Sequence, residues 1–284
     1  RHLYRDVMNF VNEARRRRSD IVFGGDFIAG FPTEDINAHN KSIKLIKEVV
    51  LTGVDLTSWG NDIFGKPSLG LLVKKILKNI PNLPRLRLSS LAPAEVDFDL
   101  MDAFENAQRL MPHIHLSIQH GDDLILKRMK RRHLYRDVIN FVNEARRRRN
   151  DIVFGGDFIA GFPTENIHAH NKSIKLIKEA NITYVHVFPY SKRDKTAASK
   201  MPQVKSADIK KRAKDLRNLA KKQHENFLEN QIGTIQNVLI EKNSVGHASN
   251  FSKVKLNDEV KACSIISTKI VDINAEGLVG NVFN

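Results

Sequence analysis

Short apolar segments alternate with helix-forming segments between residues 20 and 190. HIHLSIQ (residues 113–119) and YVHVFPY (184–190) are typical of the strand-like segments, and amphipathic stretches separate them. The order strand, helix, turn recurs about six times and predicts a parallel sheet with right-handed crossovers. Because a closed barrel of this kind has eight strands, we predict an α/β fold with an open, partial (β/α) barrel of about six parallel strands.

The C-terminal ends of the predicted strands are polar and rich in glycine. They read Gly53-Val54-Asp55, Ser89-Ser90, Gln119-His120-Gly121, residues 157–163 and Pro189-Tyr190-Ser191. In parallel α/β folds this edge of the sheet carries the chemistry. The sequence therefore predicts a ligand-binding rim there.

One unit of the alternation is written twice. DIVFGGDFIAGFPTE occupies residues 20–34 and 151–165, and the whole of 1–48 matches 132–179 except at positions 8, 19, 35 and 37. Solenoid repeats diverge further and occur at least three times. We therefore interpret the first copy as a recent duplication, a recombination product or an assembly error.

The pattern changes near Gln231. A long basic helix is predicted over residues 205–230, and short alternating strands follow: TIQNVLIE, FSKVKL, KACSIISTKIVDI and LVGNVF. Alternating strands over about 50 residues predict a small β-barrel or sandwich.

The net charge of +14 points to a polyanionic partner. RNA or DNA fits better than an anionic membrane, and the alternative is a solubility feature or a compositional bias. The chain has no apolar run near the roughly 20 residues that cross a bilayer, and its first ten residues have no signal-peptide core. We expect a cytoplasmic protein without a membrane partner.

The chain contains one cysteine, Cys263, and eleven histidines. One thiol excludes an internal disulfide and any multi-cysteine metal site made by these residues alone. The histidines show no metal-ligand spacing, so we predict no metal ligands. His113 and His115 alternate on one strand and are interpreted as packing or rim residues, and Cys263 as a buried apolar residue.

Five longer motifs occur in a fixed order: LTGVDLTSWG, RLRLSSLAPAE, HLSIQHGDDLILKRMKRRH, DFIAGFPTE and HVFPYSKRDKTAASKMPQV. Together they resemble the radical S-adenosylmethionine methylthiotransferases that act on tRNA, and most closely the branch that modifies threonylcarbamoyladenosine beside the anticodon. The resemblance covers about residues 49–284. It implies a partial (β/α) barrel, a C-terminal TRAM-like β-barrel that binds tRNA, and a reaction that uses S-adenosylmethionine and two 4Fe–4S clusters.

The first copy departs from this family. The resemblance implies CxxxCxxC at the first barrel strand, where three thiolates bind a 4Fe–4S cluster, and a preceding domain with three more cysteines. The first copy stands in that place without a cysteine. We therefore expect no cluster ligands, no catalytic residues and no radical reaction from this chain. The alternatives are a non-catalytic tRNA-binding protein and the product of a decayed or chimeric gene.

The domains expected on this basis follow the chain. Residues 1–48 are the duplicate of 132–179, residues 49–204 the radical-SAM-like partial barrel, residues 205–230 the connecting helix and residues 231–284 the TRAM-like module.

The resemblance also implies S-adenosylmethionine contacts on the predicted rim. The positions are Gly53, Asp55, Ser89, Ser90, Gln119, Gly161, Phe188, Pro189 and Tyr190. Each has an ordinary alternative as a strand-end turn, a cap or a core residue. His120 follows Gln119 where the family has serine, which weakens that contact.

Eight basic residues are the candidate tRNA contacts. They are Lys127, Arg128, Lys130, Arg131, Arg132, Arg193, Lys253 and Lys255. A charge run is usually a solvated face, but the net charge and the TRAM resemblance favour contact with the RNA backbone. Arg193 resembles a position near the substrate, although Asp194-Lys195 replaces the family's Pro-Gly in the same loop and alters its turn.

Overall fold

A computed structural model describes residues 46–53 and 55–284. The predictions for the duplicated segment lie outside the described residues, apart from its last three positions, 46–48. The first predicted strand of the partial barrel belongs to that segment.

Strands and helices alternate through residues 48–229. The elements are β1 (Glu48–Leu51), α1 (Leu69–Asn79), β2 (Arg85–Leu88), β3 (Ser90–Leu91), α2 (Phe98–Asn106), β4 (His113–Gln119), α3 (Asp123–Arg128), α4 (Tyr135–Arg148), β5 (Val153–Ala160), α5 (Ile167–Glu179), β6 (Tyr184–Pro189) and α6 (Ser206–Glu229). Short 3-10 turns lie at Pro93–Glu95 and Ala198–Lys200.

The central sheet is parallel, in the order β3-β4-β5-β6. β1 lies beside β2, and the amide of Ser89 donates to the carbonyl of Leu51 at 2.9 Å. The α/β prediction is therefore confirmed.

Capping side chains start several of the helices. Asp97 accepts from the amide of Leu100 at 2.9 Å and begins α2, and Asn166 begins α5 in the same way through Ala169. Such caps satisfy amides that have no partner within the helix. α2 begins only at Phe98, because Glu95 belongs to the preceding 3-10 turn and Asp97 is the cap.

The C-terminal residues form a closed five-stranded barrel. Its strands are β7 (Ile235–Lys242), β8 (Val245–Ala248), β9 (Lys253–Leu256), β10 (Ile265–Asn274) and β11 (Gly277–Val282). They hydrogen-bond in the order β10-β11-β9-β8-β7. Side chains such as Val238, Val254 and Ile270 fill the interior. The predicted β-module is thus a barrel rather than a sandwich.

The structure corrects one detail of this module and adds another. Cys263 is exposed, with a positive φ of 59° in the loop before β10, so its predicted burial is wrong. β8 was not predicted, because its four residues include a glycine and give a weak strand signal.

The described residues divide into two compact units. One contains residues 50–53, 55–75 and 87–230, and the other contains 46–49, 76–86 and 231–284. The domain limits expected from the sequence remain predictions. Among the described helices, none combines the length and the apolar character needed to cross a membrane.

Candidate cofactor and RNA-binding site

One face of the parallel sheet is polar. Ser90 pairs with His115 on β4, and Asp157 on β5 pairs with His186 on β6. The opposite face carries buried apolar side chains such as Leu116. A parallel sheet covered by helices on both faces is apolar throughout, and the polar side chains on this face depart from that pattern.

His115, Asp157 and His186 meet on this polar face. His115 Nε2 lies 2.9 Å from Asp157 Oδ1, and His186 Nδ1 lies 3.4 Å from the same oxygen. Burial works to raise the pKa of Asp157, but the hydrogen bond and positive charge of His115, with that of His186, outweigh it and leave the pKa below 3.8. Asp157 is therefore ionised near neutral pH.

His113 lies two residues before His115 on β4. Its ring is edge-on to Tyr184, with centroids 5.4 Å apart. Burial, followed by the charge of Arg87, lowers the pKa of His113 to about 3. His113 is accordingly a neutral, buried ring, in agreement with its interpretation as a packing residue.

The turn after β5 is held by the buried carboxylate of Glu165. Glu165 Oε2 accepts from the amide of Gly161 at 2.8 Å and lies 3.2 Å from His120 Nε2. Glu165 Oε1 accepts from Arg212 on α6 at 3.1 Å. Gly161 has φ of 78°, and a Cβ there would lie 2.5 Å from Ile209. Gly161 is thus a residue that this turn requires.

The loop after β1 contains Gly53 and Asp55, both exposed. Ser58 Oγ donates to Asp55 Oδ2 at 2.7 Å, and this bond is the main reason that the pKa of Asp55 lies below its usual value. Thr57 and Ser58 also donate to Glu95, which pairs with Arg132 at 2.5 Å. The carboxylate of Asp55 therefore stabilises the turn that contains it.

The predicted rim residues do not share one level of the sheet. Ser90 pairs with His115, whereas Gln119 is the last residue of β4 and pairs with Phe158. Gln119 has a positive φ of 70°, an unusual conformation for this residue type that often marks a functional position. Ser89 Oγ is buried without a hydrogen-bond partner among the described residues.

The end of β6 has both buried and exposed faces. Phe188 is 51% exposed and Pro189 pairs with Ala160. The ring of Tyr190 packs edge-on against Phe162, with centroids 5.5 Å apart, while its buried hydroxyl has no partner within the described part of the chain. Exposed Phe188 can stack on a ligand, and the hydroxyl can accept or donate one hydrogen bond.

The basic run after β4, residues 127–132, contains side chains with and without hydrogen-bond or ion-pair partners. Arg128 donates to Thr164, and Arg132 pairs with Glu95. Lys127 and Lys130 are exposed and make no ion pair with the described residues. Arg131 is also exposed, and its charge and that of Asp157 attract each other.

The remaining candidate RNA contacts are exposed. Arg193 lies in the loop after β6, where Thr196 Oγ1 donates to its carbonyl at 2.8 Å. Lys253 and Lys255 project outward from β9, while the intervening Val254 fills the barrel. Lys253 Nζ lies 3.4 Å from Glu276, so part of its charge is compensated.

Sequence reasoning did not bring His115, Asp157 and His186 together. Forty-two positions separate the first pair in sequence, so no local spacing indicates a shared site. The usable signal was the polar alternation within strands that the parallel fold makes neighbours.

The residues present do not fit a 4Fe–4S cluster. The resemblance implies three thiolate ligands for such a cluster, and the 284 residues contain only Cys263. S-adenosylmethionine fits better, because the buried hydroxyls of Ser89 and Tyr190 and the exposed ring of Phe188 are groups that a polar, aromatic ligand could use.

Comparison with known families identifies the scaffold. The model described as the radical SAM superfamily matches residues 36–177, half of the chain. The chain belongs to the radical SAM superfamily. Within this superfamily, its motifs resemble those of the methylthiotransferases, which use 4Fe–4S clusters and S-adenosylmethionine. The relatives below support that resemblance.

Two relatives are tRNA-modifying enzymes. The threonylcarbamoyladenosine tRNA methylthiotransferase MtaB of Rickettsia prowazekii is 45% identical over 231 residues, which are 81% of this chain and 55% of that protein. The tRNA-2-methylthio-N(6)-dimethylallyladenosine synthase of Bartonella bacilliformis is 33% identical over 248 residues, covering 84% of this chain and 54% of that protein. The chain therefore spans about half the length of the curated relatives it matches.

The solved structures that match are distant. Coproporphyrinogen III oxidase HemN from Escherichia coli is 14% identical, with a TM-score of 0.45, over 54% of this chain and 37% of its own.

Proposed function

We propose that the described residues are the part of a threonylcarbamoyladenosine tRNA methylthiotransferase that binds S-adenosylmethionine and tRNA. The 45% identity to the Rickettsia enzyme carries this proposal. The polar sheet face, the five-stranded barrel and the charge of +14 support it. The proposed setting is the cytoplasm, where tRNA is modified.

Four of the nine proposed cofactor contacts lie at the ends of three strands. Gln119 ends β4, Gly161 directly follows β5, and Phe188 and Tyr190 lie at the end of β6. The Glu165 network fixes the backbone at Gly161, so that the turn presents a constant surface. S-adenosylmethionine supplies the sulfonium for group transfer when bound, and these residues bind and orient it.

We further propose that residues 1–284 do not perform the radical reaction by themselves. A single cysteine cannot replace the thiolates that hold a redox cluster, and serine or histidine does not match their affinity. This favours a second candidate function, a tRNA-binding protein without catalysis.

The first experiment measures binding. The purified chain is titrated with tRNA by filter binding over a salt series, and with S-adenosylmethionine by calorimetry. Phosphate contacts predict a linear fall of log K with log salt. Absence of tRNA binding at low salt would refute both candidate functions.

The second experiment separates the candidates. The chain is treated anaerobically with iron and sulfide, and its visible absorbance and its cleavage of S-adenosylmethionine are measured. Binding without cluster absorbance and without cleavage supports the non-catalytic protein. Cluster absorbance together with cleavage shows that our inference from the cysteine count is wrong.

A further inference from the structure

We propose that His115, Asp157 and His186 form a binding site for one divalent first-row transition-metal ion, Zn²⁺ or Fe²⁺, on the polar face of the sheet. The site does not depend on the proposed function, and its ligands are imidazoles and a carboxylate rather than thiolates. Its ligand atoms are His115 Nε2, Asp157 Oδ1 and His186 Nδ1, which all lie within 4.8 Å of one another.

The distances are near those of a coordination sphere. Ligand atoms about 2.0 to 2.2 Å from a tetrahedral metal lie about 3.3 to 3.6 Å apart. His186 Nδ1 lies 3.4 Å from Asp157 Oδ1, which matches, and His115 Nε2 lies 2.9 Å from it, so this pair must separate by roughly 0.4 Å to hold an ion. The His186 side chain is 59% exposed and can move toward an ion without disturbing the core. His115 and Asp157 are held more rigidly, with side chains 13% and 21% exposed.

Gly155 fixes the orientation of His115. A Cβ at Gly155 would lie 2.4 Å from His115 Nδ1, so the ring rests against the backbone of β5. This placement directs Nε2 toward Asp157. The three strands thus supply one ligand each, all on elements of a single parallel sheet.

The ligand types select the metal. Two imidazoles and one carboxylate suit Zn²⁺ and Fe²⁺, whereas Mg²⁺ prefers oxygen ligands. Three protein ligands leave coordination positions open for water or another ligand. Asp157 and His186 each lie three residues before the last residue of β5 and β6, roughly 10 Å along the strands from the rim.

Without metal, the same groups can form a hydrogen-bonded chain in which both imidazoles donate to Asp157. This alternative defines the test, because a metal site requires all three ligands.

The full chain is stripped with a chelator and titrated anaerobically with Zn²⁺, Fe²⁺ and Mg²⁺ by calorimetry, and metal content is measured by mass spectrometry. We expect one Zn²⁺ or Fe²⁺ per chain and no Mg²⁺. Zn²⁺ and Fe²⁺ are distinguished by their relative affinities. If neither transition metal binds, or if Mg²⁺ binds equally well, the proposal is overturned.

Variants test the ligand set. His186→Gln alters an exposed side chain, so the variant should fold, and its affinity for the metal should fall at least about tenfold. Asp157→Asn should lower the affinity by the same factor or more. The matched control is His247→Gln, which breaks a comparable pair with Glu241 at 2.7 Å elsewhere and should leave affinity unchanged. Equal affinity of His186→Gln and the parent chain, or equal loss in His247→Gln, overturns the site.

Discussion

Glu165 is a buried acid whose neighbours are all donors. Its side chain is 1% exposed and receives bonds from Gly161 and Arg212, with His120 at 3.2 Å. Burial alone raises the pKa of Glu165, but His120, the Gly161 amide and the charge of Arg212 leave it below 4.5. A single side chain therefore links β5, α6 and the turn after β4.

We expect Glu165→Gln to lower the free energy of unfolding by about 3 kcal/mol, because a buried charge network loses its anion and the amide NH₂ faces a donor. Urea denaturation measures this loss. Glu144→Gln is the control, since Glu144 is an exposed carboxylate that also pairs with arginines. A similar loss in both variants would contradict the importance of burial.

The same residue predicts a pH dependence. A carboxyl group whose folded pKa is lowered stabilises the protein above its unfolded pKa, and this stability is lost as pH falls through the folded pKa. The parent chain should therefore lose stability below about pH 4.5, and Glu165→Gln should lose less. The urea midpoints of both proteins are measured at about pH 7 and at about pH 3. An equal fall in midpoint for the two proteins would contradict the assignment of this pH dependence to Glu165.

At the scale of elements, the turn from β5 to α5 depends on a glycine. Gly161→Ala should cost about 3 kcal/mol, from the left-handed backbone and from overlap with Ile209. Gly233 has a similar φ, 85°, but no atom lies within 4 Å of a Cβ placed there. Gly233→Ala should therefore lower the free energy of unfolding by only about 1 kcal/mol. Thermal and urea denaturation measure the free energies of unfolding of the two variants.

A double variant isolates the overlap. In Gly161→Ala with Ile209→Ala, part of the Gly161→Ala loss should return, because the Cγ atoms that the new methyl meets are gone. Strict additivity of the two single losses would show that backbone strain alone is responsible.

Elements with a clear local pattern were predictable. The alternation in HIHLSIQ gives β4 over His113–Gln119, as observed. The start of α2 was not, because the cap at Asp97 and the preceding 3-10 turn compete with helical spacing. Arg146, near the end of α4, shows the same limit, because its donation to the carbonyls of Ala180 and Asn181 depends on tertiary contacts.

The candidate site was predictable only in outline. A polar rim follows from the parallel fold, and Gly161 could be placed at a turn from its sequence context. The meeting of His115, Asp157 and His186 depends on strand register, which no single segment encodes.

At the scale of the whole molecule, the charge of +14 predicts that tRNA binding is spread over several lysines. Lys255 projects from β9 without an ion pair among the described residues, and Lys253 is partly compensated by Glu276. Lys127 and Lys130 are exposed in the other compact unit. If both surfaces contact phosphates, each should contribute separately to the salt dependence.

The prediction is tested with paired alanine variants. Each phosphate contact contributes about 0.9 to the slope of log K against log salt on a duplex and about 0.7 on a single strand. Lys127→Ala with Lys130→Ala should reduce the slope by up to about 1.8. Lys253→Ala with Lys255→Ala should reduce it less, because Glu276 already offsets one charge.

The control is Lys175→Ala, which removes an exposed lysine that pairs with Glu179 at 3.9 Å. It should change neither slope nor affinity. If all three variants lower affinity equally, binding follows net charge alone and neither surface is a defined contact. If only the β9 pair acts, tRNA contacts the barrel and the basic run after β4 is a solvated face, since an unused charge releases no counterions.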